Sequence, residues 1–331
     1  MQKDIDFIAI GDIVTDVFIR LEQAHVNCVT GTNKCDLCIS FADKVPFKFA
    51  EEVPAVGNCA NAAVSAARLG MKSALIANLG DDRHGKECLE ALAKNNVISD
   101  FVLTHPGAKT NYHYVLWYDK DRTILVKHED YPQKMPDVGS PKWMYLTSLG
   151  DKSVDYHKDI TAYIESHPDI NVVFQPGTFQ INMGVEGLMS IYKKTKIFFC
   201  NVEEAQKILK TEEKDLVTLL KKMRELGPQT VVITDGPNGA YAYSEDNAVF
   251  IPAYPDPKPA FERTGAGDAF ASTFTVALAL GKTVEEALKW ASINSSSVVQ
   301  YVGAQKGLLS RAALEETLAK APADWQVKII N

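Results

Sequence analysis

An α/β fold is predicted for this chain: three layers, α/β/α, with a mostly parallel central sheet and a small β-sheet lid. Three features predict it. Short apolar runs alternate with helix-compatible stretches along most of the sequence, two strand-rich patches interrupt that alternation, and the last third turns more helical. Regular β-α-β alternation is the pattern of a parallel sheet covered on both faces. A chain of 331 residues can bury a large core, and it shows no internal repeat and no low-complexity linker. It therefore reads as a single domain over 1–331, with lid strands from about 14–55 and 108–128.

The elements follow in order. Phe7-Ile8-Ala9-Ile10, stopped by Gly11, is a first buried strand. From Val17 to Val53, alternating Leu37, Ile39, Phe41 and Val45, Phe47, Phe49 mix with Gly31, Asn33 and Pro46, the pattern of half-buried strands. Tyr112 to Trp117 and Thr123 to Val126 flank the turn Asp119-Lys120-Asp121 as a hairpin. These two patches can pair into a small sheet standing off the main body. Between and after them run Ala60 to Leu69, Ala74 to Leu79, Gly85 to Asn95, Trp143 to Leu146, Val154 to Ser166, Val172 to Phe174, Ile197 to Cys200, Val202 to Leu209, Asp215 to Leu226 and Thr230 to Thr234. Helical stretches Gly267 to Leu280, Val284 to Tyr301 and Arg311 to Ala321 close the chain.

Composition excludes several functions. A net charge of −7 without a long Lys/Arg cluster offers no basic face for nucleic acid. No apolar run approaches the roughly 18 residues of a membrane helix. The start, Met1-Gln2-Lys3-Asp4-Ile5-Asp6, carries acids where a signal peptide would be basic and then apolar, so the expected location is cytoplasmic. The six cysteines, Cys28, Cys35, Cys38, Cys59, Cys88 and Cys200, are too scattered for a disulfide framework and read as free thiols. Cys35-x-x-Cys38 with Cys28 upstream leaves a partial metal site as the alternative.

The chemistry concentrates at Arg263-Thr264-Gly265-Ala266-Gly267-Asp268-Ala269-Phe270. Glycines at the mouth of an apolar helix let first-turn N–H groups approach an anion, and Asp268 sets a proton acceptor beside it. A base next to an anion hole points to phosphoryl transfer. The dinucleotide fingerprint is excluded, because Phe270 occupies the third glycine position. Polar residues just after strands are the next candidates: Asp12 and Asp16, Asn201 and Glu204, and Thr234-Asp235-Gly236-Pro237-Asn238-Gly239. Asn201 and Glu204, three apart at a helix start, suit Mg²⁺ held through water or, equally, a capping box. The 234–239 stretch suits a turn over phosphates or a plain hairpin. Gly80 to Glu87 nearly spells a phosphate loop, but Asp81 and Asp82 would repel the ligand, so the stretch reads as an N-cap at the start of the helix from Gly85.

Taken together, Val56-Gly57-Asn58-Cys59-Ala60-Asn61-Ala62-Ala63, Ala67-Arg68-Leu69-Gly70, Leu79-Gly80-Asp81-Asp82 with Gly85, Asn201-x-x-Glu204, Thr264 to Phe270 and Gly303-Ala304 resemble the ordered signatures of ribokinase-like kinases, the phosphofructokinase B (PfkB) family of carbohydrate and nucleoside kinases. The resemblance implies a ribokinase-like fold and ATP-dependent phosphorylation of a hydroxymethyl group on a small sugar. Asp268 would be the base, and the backbone of Gly265, Ala266 and Gly267 the anion hole. Asp12, Asp16, Gly57, Asn58 and Asn61 would bind the substrate. Asn201 and Glu204 would organise Mg²⁺ and phosphate, with Thr234, Gly236, Gly239 and Asn294 along the nucleotide. A monovalent cation such as K⁺ would sit near the loop before Gly265 and Gly303-Ala304. Val56 departs from a usual glycine, Glu262-Arg263 from Asp-Thr, and Asn58 stands where some members have Lys; the lid residues Lys109, His113, Arg122, Lys127 and His128 can restore positive charge.

Two other functions fit the same residues. A nucleoside kinase would stack a base on Tyr112, Tyr114, Trp117 or Phe47. A non-catalytic sugar-binding protein would keep the fold without the reaction. Exposed lid edges allow a homodimer beside the monomer.

Overall fold

Phe7–Ile10 form a wholly buried strand, β1, and the sheet is built outward from it. The computed structural model describes residues 4–29, 35–119, 121–255 and 258–330; Met1 to Lys3, Gly31, Asn33 and Lys120, used in the sequence reading, lie outside the described residues. The further strands are β2 (Val14–Leu21), β3 (His25–Cys28), β4 (Cys35–Cys38), β5 (Phe47–Val56), β6 (Ser73–Gly80), β7 (Ile98–His105), β8 (Tyr112–Tyr118), β9 (Asp121–Leu125), β10 (Trp143–Leu146), β11 (Asn171–Phe174), β12 (Thr195–Asn201), β13 (Thr230–Thr234), β14 (Ala240–Ser244), β15 (Asn247–Ile251) and β16 (Lys328–Ile329). The helices are α1 (Asn58–Arg68), α2 (Arg83–Lys94), α3 (Val154–Ser166), α4 (Thr178–Lys194), α5 (Val202–Leu209), α6 (Leu216–Glu225), α7 (Ala266–Ala279), α8 (Val284–Val298) and α9 (Arg311–Ala319).

Ten strands make one sheet in the order β16-β15-β14-β13-β12-β11-β10-β1-β6-β7, parallel from β7 to β13 and antiparallel beyond. Side chains of a strand alternate faces, and β1 shows the consequence. Phe7 and Ala9 join the apolar layer under α1, α7 and α8, while Ile8 and Ile10 join the layer under α3 to α6. Helices thus cover both faces of a mostly parallel sheet, as the apolar alternation predicts.

The second sheet, β5-β2-β8-β9, draws its strands from both strand-rich patches. Its inner face carries a small cluster of Phe18, Val115 and Trp117 with Val302. Its outer face leaves Phe47, Tyr114 and Leu125 exposed.

Several expectations are corrected. The alternation through Ile39 and Phe41 is not strand: β4 ends at Cys38, and Phe41 is 99% exposed. β3 and β4 form their own exposed ribbon, whose antiparallel register sets Cys28 opposite Cys35. Those two cysteines are joined in a disulfide, not free, and Cys38 is the thiol left beside them. Gly236 to Asn238 form a single turn joining β13 to an antiparallel β14, the hairpin reading of that stretch. Helix α4 was not anticipated, because Gly184, at φ 79°, interrupts its helical backbone and its pattern. The cap read for a helix from Gly85 is Asp82, which accepts the Gly85 N–H at 3.0 Å, and α2 starts two residues earlier at Arg83.

Candidate active site

The site grows from two helix starts that face each other across the ends of the strands. At the first, Gly57 precedes α1 at φ 97°, and a Cβ there would lie 2.6 Å from the Asp12 carbonyl oxygen, so only glycine lets α1 start this close to the chain leaving β1. Asn58 and Asn61, three apart on the first turn, then project to the same side. At the second, Gly265 precedes α7 in the left-handed region, at φ 79°, and its missing Cβ would collide with Ala304 at 2.2 Å. Asp268 stands in the first turn of α7, and its Ser272 neighbour ties down the turn by donating to the Asp268 carbonyl at 2.6 Å.

Asp268 is 7% exposed and its carboxylate accepts from three side-chain amides. Asn58 Nδ2 lies 2.8 Å from Oδ1, Asn61 Nδ2 lies 2.8 Å from Oδ2, and Gln175 Nε2 lies 3.3 Å from Oδ1. Each nitrogen end is turned inward for a reason. Gln305 Nε2 donates to the Ala55 carbonyl at 2.7 Å and to Asn61 Oδ1 at 3.0 Å, which leaves Asn61 its nitrogen for Asp268. Tyr145, a phenol held neutral by burial, donates to Gln175 Oε1, which turns Gln175 Nε2 the same way. Burial pushes the Asp268 carboxyl above its usual value, and the Asn61, Asn58 and Gln175 hydrogen bonds pull against it. A carboxylate raised by desolvation yet solvated by fixed donors is suited to taking a proton near neutral pH.

These groups line a cleft of about 910 Å³ between the sheet ends and the lid. Among the residues read from the sequence, Asp12, Asp16, Gly57, Asn58, Asn61, Asn201, Glu204, Thr234, Gly265, Gly267 and Asp268 line it together. The lid adds His113, Arg122 and His128 from above. His113 Nδ1 is 3.4 Å from Asp16 Oδ1, and His128 Nδ1 is 3.3 Å from Asp12 Oδ2. The Asp12 carboxylate beside it raises the His128 pKa against the opposing effect of burial. Buried Asp12 Oδ2, Asp16 Oδ1 and His113 Nε2 have no hydrogen-bond partner, an arrangement that a polar ligand completes.

Asn201 and Glu204 form the capping box of α5, each backbone N–H donating to the other side chain at 2.8 Å. The same two side chains also line the cleft, so capping and a role toward ligand are compatible. Three expected nucleotide residues fall elsewhere. Gly236 and Gly239 lie in the turn beyond Thr234, outside the cleft lining. Asn294 is fully buried, donating to Thr273 Oγ1 at 2.7 Å and accepting the Leu309 N–H at 2.9 Å, so it braces α8 against α7 and the following loop. Ala266 is the middle residue of the anion turn; its N–H points back to the Arg263 carbonyl at 3.4 Å.

Sequence reasoning missed Gln175, Tyr145 and Gln305. Gln175 directly follows β11 and was open to the same rule that found Asn201. Gln305 lies in the loop after Gly303 and Ala304, and no local pattern marks it.

The fold is a three-layer α/β domain whose small lid sheet closes over one polar cleft. The model of the pfkB family carbohydrate kinases matches residues 50–311, and the chain belongs to that family. Among curated relatives, ribokinase of Bacillus subtilis is 28% identical over 314 residues, covering 88% of this chain and 99% of its own length. Among solved structures, Arabidopsis thaliana ribokinase complexed with ribose and ATP superposes with a TM-score of 0.76 at 21% identity, covering 96% of this chain and 99% of that one. The nucleoside kinase of Methanocaldococcus jannaschii reaches 0.74 at 19% identity, covering 96% and 99%. No helix among the described residues is long and apolar enough to cross a membrane.

Proposed function

We propose that this kinase transfers the γ-phosphoryl group of ATP to a hydroxymethyl group of a small sugar. The observation that carries the reading is Asp268, a buried carboxylate held by three oriented amides at the start of α7, in one cleft with Asp12 and Asp16. In this reading Asp268 takes the proton of the acceptor hydroxyl as the new O–P bond forms. The bond from the γ-phosphorus to the bridging oxygen breaks, ADP leaves, and the proton passes to solvent. The amides of Gly265 and Gly267, joined by that of Ala266 once it leaves the Arg263 carbonyl, stabilise the charge developing on the transferred group. Asp12, Asp16, Asn58 and Asn61 orient the acceptor hydroxyls, with Gly57 giving them room. Thr234, with Gly236 and Gly239 in the turn after it, bounds the nucleotide side, and Asn294 serves it indirectly by bracing α8 against α7.

Mg²⁺ would supply charge neutralisation on the phosphates, and the cleft-facing Asn201 and Glu204 fit it through water. Burial pushes the Glu204 carboxyl up, which suits an indirect partner better than a direct ligand. The buried Glu262 Oε2, without a hydrogen-bond partner, fits a monovalent cation such as K⁺ beside the loop.

A sugar is favoured over a nucleoside because the lid rings read as stacking a base do not reach the cleft, whose own rings, Phe179 and Phe199, come from α4 and β12. Phe47, Tyr112, Tyr114 and Trp117 are all absent from the cleft lining, and Trp117 is buried in the lid's own cluster. The intact base and turn favour an enzyme over a silent sugar-binding protein. The whole chain acts as one domain, with lid strands from 14–55 and 108–128. The exposed Phe47, Tyr114 and Leu125 offer a face for a second copy, so a homodimer through the lid is part of the reading. Cytoplasmic residence is where ATP is available. The test is a panel of pentoses, hexoses, sugar phosphates and nucleosides scored by ADP release. Turnover with a sugar supports the reading; turnover with nucleosides alone replaces it, and none with any acceptor favours the silent protein.

A further inference from the structure

The lid touches the segment ahead of the anion turn at two adjacent points. Trp117 and Arg122 are directly paired across the β8–β9 hairpin, so both side chains leave the same face. Facing them, Phe261 and Glu262 are consecutive, and both donate backbone N–H groups to the Val299 carbonyl past α8, at 2.8 and 3.2 Å. The Trp117 and Phe261 rings meet edge-on with centroids 5.0 Å apart. Arg122 Nε lies 3.7 Å from Glu262 Oε1.

Glu262 is 2% exposed, and its Oε1 accepts the Thr264 N–H at 2.7 Å and the Thr264 hydroxyl at 2.5 Å. It therefore fixes the residue that opens the Gly265–Gly267 turn. Arg122 Nε, also buried, has no hydrogen-bond partner. A guanidinium and a buried carboxylate held just beyond hydrogen-bond reach make an unfinished contact, and a small movement of the hairpin completes it. That hairpin and the chain after it also put Ile124, Val126 and His128 into the cleft, where an acceptor would touch them.

We propose that Arg122 is a positioning residue: when an acceptor draws the hairpin down, Arg122 closes on Glu262, and Glu262 sets Thr264 and the Gly265–Gly267 turn for phosphoryl transfer. The inference rests on the kinase reading above for its purpose but not for its test. Hydrogen exchange is measured on the full chain, wild type, Arg122→Gln and Arg122→Lys, with ADP and with or without each acceptor of the panel at saturation. With an acceptor that slows exchange in the lid, the expected result is exchange in the Phe261 to Phe270 segment about 10-fold faster in Arg122→Gln than in wild type, intermediate in Arg122→Lys, and unchanged in the central sheet. Unchanged exchange in that segment with such an acceptor bound overturns the proposal whether or not the acceptor is turned over, and so does a lid whose exchange no acceptor slows. With an acceptor from the panel, kcat of Arg122→Gln should fall about 10-fold or more while KM for ATP stays within about 2-fold. A change confined to the acceptor KM would make Arg122 a substrate contact and overturn the positioning role. Absence of ADP release by the wild type counts against the kinase reading alone.

Discussion

Asn61 donates to Asp268 Oδ2 at 2.8 Å while its own carbonyl oxygen is held by Gln305 at 3.0 Å. Because that carbonyl end is occupied, the nitrogen end is committed to the carboxylate, and the pair is built for the ionised base. Removing this donor in Asn61→Ala removes the first of the hydrogen bonds that lower the Asp268 pKa against burial. A base works deprotonated, so activity is lost as pH falls through its pKa, and a further raised pKa moves that loss to higher pH. A hydrogen bond to a charged group contributes about 1.5–3 kcal/mol. The acid limb of kcat/KM against pH is therefore expected to move to higher pH. An unmoved limb would separate Asn61 from the base.

Gly265→Ala should be more damaging than its size suggests. The position has φ 79°, and a Cβ would sit 2.2 Å from that of Ala304. Backbone strain of this kind costs on the order of 1–3 kcal/mol, and relief requires moving the turn. The expected outcome is a loss of kcat of about 100-fold with a Tm lowered by a few degrees, read by steady-state kinetics and calorimetry. Wild-type turnover in this variant would show that the turn is not where the phosphoryl group is received.

His128 links the lid to the chain after β1, and its pH dependence has a definite sign. The Asp12 carboxylate, 3.3 Å from its Nδ1, raises its folded pKa above the ordinary 6.5. Stability from the pair is fully present below the unfolded pKa and is lost as pH rises through the folded one. The Tm difference between wild type and His128→Ala should thus be largest near pH 5.5 and shrink toward about pH 8.5. A difference that grows with pH would contradict the protonated pair.

The Cys28–Cys35 disulfide lies on the exposed β3–β4 ribbon, and neither cysteine lines the cleft. Reduction is expected to release two further titratable thiols and to leave kcat/KM within about 2-fold. Stoichiometric zinc in the purified protein would instead revive the metal reading of Cys35 and Cys38.

The central sheet was more legible in the sequence than the lid. Short buried strands such as Trp143–Leu146 and Thr230–Thr234 match their apolar runs end to end, because a strand buried on both faces has no polar position to blur its limits. Helix α4 was hidden by Gly184, and β4 appeared longer than it is because alternation continues into the exposed turn at Phe41. Local spacing singles out Asp268 and its turn, whereas Asn58 and Asn61 enter the reading only through the resemblance to a known family. Gln175 and Gln305 reach Asp268 and Asn61 across 93 and 244 positions, a relationship that only the folded chain creates. The Arg122–Glu262 approach is equally invisible in sequence, since it depends on where the lid comes to rest.

Asp268→Asn tests the central claim most directly, with ADP affinity measured by calorimetry and turnover measured on the best acceptor of the panel. A neutral amide of the same shape cannot take the acceptor proton, so turnover should fall by about 100- to 10,000-fold while ADP binds as in the wild type. Wild-type turnover by Asp268→Asn would contradict the account.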